Sequence, residues 1–243
     1  MLKRPSPLLL CFLLFFPLVQ ALLYFQIMAD WHPAVHKGIY TATKIIMFVL
    51  PLVYMVKIAK EPLRVRRFNA RGLLEGSLFG LGVLVGVCLL YFLWLKPIGL
   101  IGPDTPAGDA IRERVVSFGF LTPTLFILFG GFVSLIHSGL EEYYWRWFTF
   151  GRLARAIPKY AAVVVAGLGF MLHHIVIIGR FFGYAHPVTY LFSLCVAIGG
   201  VYWAWLYVRK DSIYAPWLSH AWIDVAIFIV GYDVLFCGST VTH

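Results

Sequence analysis

The sequence predicts an all-α, polytopic membrane protein, a helical bundle of about seven spanning helices. Three observations predict it. Charged residues make up only 13% of the 243 residues, about half of the roughly 25% usual in a soluble domain. Hydrophobic residues reach 61%, with a mean hydropathy of +0.84. Apolar runs long enough to span a bilayer recur along the chain, separated by short polar loops. The length suits six to eight helices in a single integral membrane domain, residues 1–243, with no room for a separate soluble domain.

Lys3 and Arg4 precede an apolar run at 8–28. It is long enough to span, and no small-residue cleavage site follows, so it is expected to be a retained first helix rather than a signal peptide. A second helix is expected at 39–56, followed by a basic loop with Lys57, Lys60, Arg64, Arg66, Arg67 and Arg71. The third, 73–95, carries Gly76, Gly80, Gly82 and Gly86, spaced to let helices pack closely. Pro97, Pro103 and Pro106 mark 96–114 as an irregular loop. A fourth helix starts between 115 and 123 and carries into Glu141-Glu142. Residues 146–159 are basic and amphipathic and suit the membrane interface. The remaining helices are expected at 160–178, 187–208 and 213 to about 230, with 236 as the outer limit.

The formal net charge is +9. In a membrane protein this excess belongs to loops held in the cytoplasm rather than to nucleic-acid binding. Seven helices with the N-terminus inside place fourteen of the twenty Lys and Arg on the cytoplasmic side. Lys37, Lys44, Lys96, Arg112, Arg114 and Arg180 then fall outside or near the outer helix ends. The expected partners are membrane lipids and a membrane-anchored protein or peptide, with no nucleic acid. Cys11, Cys88, Cys195 and Cys237 show neither disulfide nor metal spacing and read as inert thiols.

Against this apolar background, ionisable residues inside helices are candidate functional groups. In Glu141-Glu142-Tyr143-Tyr144-Trp145-Arg146, Glu142 and Arg146 are four apart, in the favourable order for an ion pair. That leaves Glu141 for chemistry. His173-His174 interrupts the fifth predicted helix; His220 and Asp224 share one face of the seventh. His137 suits a helix–helix hydrogen bond. A glutamate and two histidines on three helices suit activation of a water, either directly with Glu as general base or through a divalent metal, zinc being the candidate ion. The serine-protease Gly-x-Ser-Gly, the aspartyl-protease Gly-x-Gly-Asp, His-Glu-x-x-His and an Asp-Asp-x-x-Asp box are all absent.

The ordered set Glu141-Glu142-xxx-Arg146, Phe170-xxx-His174 and His220-xxx-Asp224 resembles the CPBP family of intramembrane proteases. This is also the ABI or CAAX-protease-and-bacteriocin-processing family, which includes the Rce1-type CAAX endopeptidases. The resemblance covers about residues 120–230, taken as the catalytic core. It implies an intramembrane endopeptidase, glutamate- or metal-dependent, acting on a membrane-associated protein or peptide. It gives Glu141 the water-activating role, with Glu142 and Arg146 in support. His174 and His220 would orient the water, hold a metal together with Glu141, or stabilise the oxyanion. Asp224 stands where the family has Asn or Asp, and Trp147 where members often carry Gly. Phe170 selects His174 over His173, which is expected to face a neighbouring helix. For Glu141 to share the depth of these histidines, the fourth helix must start near Pro123 and run to about Phe150. Rival readings are a non-catalytic scaffold or immunity-type protein of the same fold, and a small transporter using these groups as a proton relay.

Overall fold

The computed structural model describes residues 4–28, 31–63, 68–120 and 122–237. Among them no strand occurs, and seven helices are long and apolar enough to cross a membrane. The chain is an all-α, multi-pass integral membrane protein. The spanning helices are α1 (Pro7–Ile27), α2 (Ala34–Ala59), α3 (Ala70–Leu95), α5 (Pro123–Leu153), α6 (Lys159–Phe182), α7 (Pro187–Lys210) and α8 (Tyr214–Phe236). A shorter and more polar helix, α4 (Pro106–Phe118), precedes α5.

Local chemistry sets the helix ends. Proline occupies the first turn of α1, α4, α5 and α7, where its missing N–H removes no helical bond. The hydroxyls of Ser6, Thr105 and Thr122 accept the N–H groups of Leu9, Gly108 and Leu125, as capping residues do. Gly119, with φ of 84°, closes α4, a left-handed conformation that a glycine adopts without steric cost.

Three boundaries differ from the sequence reading. Residues 96–114 are not wholly irregular, because Thr105 and Pro106 cap and start α4 instead of only breaking the chain. Residues 146–153 are not a separate segment but the end of α5. The α5 helix continues to Leu153 and buries both Arg146 and Arg152. α2 starts at Ala34, before the expected 39, because His32 accepts the Ala34 N–H and Pro33 occupies the first turn. The start of α5 at Pro123 and its run past Phe150 match the geometry that a deep Glu141 requires.

Contacts group the chain into two compact units, residues 1–68 with 140–213 and residues 69–139 with 214–243. In the first unit, Phe150, Leu153, Ala162, Val163, Ala166, Ala204 and Tyr207 form a buried core. Small residues bring α6 and α7 together: a Cβ added at Gly200 would lie 3.1 Å from the Gly167 Cα. Gly169 is equally hemmed in, by Leu14 of α1 at 2.7 Å and Trp145 at 3.0 Å.

In the second unit, α3 lies against α8 at Gly76 and Gly80. A Cβ at Gly80 would meet the Ser219 carbonyl oxygen at 2.7 Å, and one at Gly76 would collide with the Ala215 backbone. Trp222 Nε1 donates to Ser77 Oγ at 2.9 Å, fixing the rotation of one helix against the other. Buried Asp233 accepts from Tyr91 Oη at 2.7 Å and from Lys96 Nζ at 2.6 Å. Arg112 donates to the carbonyls of Val234 and Leu235, satisfying acceptors near the end of α8.

Candidate active site

The paired glutamates sit in α5 between two wider, π-helical turns, Val133–His137 and Tyr143–Phe150. Such turns are rare and recur at functional sites. Glu142 is fully buried, and its Oε2 meets Arg146 Nε at 3.0 Å. The i, i+4 pairing expected from the sequence is therefore made. The Arg146 guanidinium lies over the rings of Phe170 on α6 and Trp203 on α7, with Cζ 4.9 and 5.1 Å from their centroids. Cation–π contacts of this kind are worth most when desolvated. Phe170, noted in the sequence as a marker for a histidine, thus forms part of the arginine's aromatic cradle.

Glu141 is also buried, 5% exposed. Its Oε1 stands 3.9 Å from His173 Nε2, too far for a direct hydrogen bond and close enough for one water to bridge the two. The His173 ring lies parallel to the Trp145 indole, 6° between planes and 5.8 Å between centroids. Trp145 is itself fully buried on the Gly169 backbone, so the imidazole plane is fixed from below. His174 is more accessible than His173. Its Nδ1 is 2.9 Å from the Phe170 carbonyl oxygen, and its ring tilts over the Phe170 ring at 4.6 Å. His173, expected to face a neighbouring helix, does so at Glu141 of α5, while His174 Nδ1 lies against the Phe170 carbonyl of its own helix.

In the second unit, His220 is buried, and its Nε2 lies 3.7 Å from Asp224 Oδ1 on the next turn of α8. The pair shares one helix face, as the four-residue spacing requires. Ser134 and Ser138 are buried one turn apart on α5; His137 lies between them in sequence.

Among the described residues of either unit, no three His, Cys, Asp or Glu side chains gather as a metal-holding group, whereas a catalytic zinc takes three protein ligands. Glu141 and His173 supply only two.

Sequence reasoning gave no role to Trp145, which lay inside a motif whose middle residues carry no pattern; its ring lies parallel to that of His173.

No curated protein and no solved structure matches the chain. Residues 122–226 match the family model of the type II CAAX prenyl endopeptidase Rce1-like proteins. The match begins at the cap of α5, ends inside α8 and contains all three motifs described above. Over residues 122–226 the chain is thus similar to the Rce1-like family.

Proposed function

We propose that the protein is an intramembrane CAAX-type endopeptidase. It hydrolyses a peptide bond near the C-terminus of a membrane-anchored protein or peptide, the prenylated class that the family description names. The observation that carries this reading is the contrast between two adjacent buried carboxylates. Glu142 is neutralised by Arg146 at 3.0 Å, while Glu141 faces an imidazole at 3.9 Å, a separation suited to holding one water.

In the proposed step, Glu141 takes a proton from that water as general base. The hydroxide adds to the scissile carbonyl carbon, and its oxygen becomes an oxyanion. Collapse breaks the C–N bond, and the proton carried by Glu141 passes to the leaving amine nitrogen. His173, held flat by Trp145, keeps the water aligned. The resemblance gives His220, with Asp224 beside it, a role in the same reaction as a hydrogen-bond donor to developing negative charge.

The test is cleavage of a prenylated CAAX peptide by purified protein in lipid, with Glu141→Gln and Glu142→Ala as variants. E141Q is expected to remain folded and lose turnover by at least about a hundredfold. E142A is expected to unfold readily, since a buried Arg146 without its partner costs about 3–5 kcal/mol. Wild-type protein that cleaves no prenylated or unprenylated membrane peptide would favour the scaffold reading. An active E141Q would move the base elsewhere.

A further inference from the structure

α8 carries His220 and Asp224 on one face, and two indoles flank His220 on the same helix. Trp217, three residues before it, donates from Nε1 to the carbonyl oxygen of Leu135 at 2.8 Å. That carbonyl lies in the π-helical turn Val133–His137 of α5. Trp222, two residues after His220, donates from Nε1 to Ser77 Oγ of α3 at 2.9 Å. All of these groups belong to the second compact unit.

Glycines admit both contacts. A Cβ added at Gly139 would lie 3.0 Å from Trp217 Nε1, and one at Gly80 would lie 2.9 Å from the Trp222 Cβ. Glycines set how near α5 and α3 come to α8, but a surface without side chains resists rotation poorly. A hydrogen bond does resist it, because the bond weakens steeply away from its preferred distance and angle. Hydrocarbon supplies no water to replace a bond that is lost. Residues five apart on a helix point about 140° apart, so the two indoles fasten α8 from two directions. Turning α8 by about 10° would carry an imidazole about 6 Å off the axis through about 1 Å. A displacement of that size in a site costs up to about a hundredfold in rate.

We propose that Trp217 and Trp222 are positioning residues for His220, with Ser77 serving the second of them from outside the matched segment 122–226. They hold the rotation of α8 and so the direction in which the His220 imidazole points. The catalytic consequence rests on the proposed part of His220 in peptide hydrolysis; the fastening of α8 does not.

The experiment compares variants of the full chain in lipid nanodiscs on a prenylated CAAX peptide. Trp217→Phe keeps an aromatic ring without the indole N–H, and Ser77→Ala removes the acceptor of Trp222. Each is expected to lower kcat about tenfold with KM nearly unchanged. Ser77→Thr, which keeps the hydroxyl, should restore turnover. Tyr91→Phe is the control for general loosening. It removes one of the two donors to Asp233, about 20 Å along α8 from His220. It should lower the unfolding midpoint as S77A does, by about 2–4 °C, with kcat changed by less than about twofold. A Y91F loss of kcat equal to that of S77A, or wild-type kcat in W217F and S77A, overturns the positioning role. In 15N-histidine-labelled protein the His220 imidazole resonance, assigned by its loss in His220→Gln, should shift in S77A and stay in Y91F. An unmoved resonance in S77A also overturns the role. The fastening itself is read from unfolding midpoints in a cycle of S77A, Trp222→Phe and the double variant. Losses that do not add support the bond, and additive losses overturn it. If wild-type protein cleaves nothing, the enzymatic reading fails and the catalytic role of the indoles falls with it, while the unfolding cycle still decides whether Trp222 fastens α8.

Discussion

His173 and His174 are neighbours in sequence, but successive residues on a helix point about 100° apart, and their surroundings differ accordingly. His173 stacks on Trp145 and faces Glu141 at 3.9 Å. His174 is bonded to the Phe170 carbonyl at 2.9 Å. His173→Gln is therefore expected to remove nearly all turnover in folded protein, and His174→Gln to leave a substantial fraction. Matched preparations assayed on one peptide check this, and a reversed order would restore the assignment by motif spacing. The Glu142–Arg146 pair was legible in the sequence because both partners lie on one helix at a fixed spacing. The Glu141–His173 approach was not, because it depends on the rotation of α6 against α5. That rotation is set by distant small residues: Gly169, which admits the Trp145 ring, and Gly167 with Gly200, which let α7 close on α6.

Helix packing shows the same division between spacing and context. The four glycines of α3 look equivalent in sequence. Gly76 and Gly80 meet the backbone of α8, whereas a Cβ at Gly82 or Gly86 would meet nothing within 4 Å. Spacing identified a candidate contact stripe, and the partner helix selected half of it. Glu61, just beyond α2, received no role from the sequence, yet it joins two elements of the first unit. It accepts from Arg152 at 2.9 Å and from Arg155 at 2.8 Å, both near the end of α5. These two guanidinium groups hold its pKa down from 4.5 to about 2. A depressed carboxylate pKa stabilises the folded state fully above the ordinary value and loses that contribution as pH falls towards the folded one. Glu61→Gln should thus lower the unfolding midpoint at neutral pH by about 2–4 °C, as for a partly exposed pair worth about 1 kcal/mol. The gap between variant and wild type should close between pH 4.5 and about 2. A gap that persists at the acid end would show that the side chain acts by packing alone.

For the whole molecule, the number of spans was readable from composition, because hydrocarbon imposes one length scale on every crossing. The start of α2 was placed late because Pro33 and the His32 cap were read as part of a loop, and Arg146 was grouped with an interfacial segment although α5 runs on to Leu153. Arg146 is buried against aromatic rings, and Lys44 is cradled by others. A charge satisfied inside a helix array gives the same one-letter signal as one in a loop. Removing both from the loop inventory still leaves the basic excess at the loop after α2 and the ends of α5 and α7. The expected orientation therefore keeps the N-terminus in the cytoplasm. With the native cysteines replaced, a single cysteine at exposed Lys60 should react with an impermeant maleimide only from the cytoplasmic face. Reaction from the outer face alone would reverse the topology.

The interleaving of the two compact units bears on how the chain is made. The first unit is assembled from residues 1–68 and 140–213, with residues 69–139 between them. At about 5–20 residues per second, α1 and α2 leave the ribosome several seconds before the partners that bury them. During that interval Leu13, later sealed and bonded through its carbonyl to Tyr144 Oη, has no native cover. The nascent chain thus passes through a stage in which its first two helices are natural clients for a membrane insertase or intramembrane chaperone. That dependence should ease once residue 213 has emerged and the first unit can close.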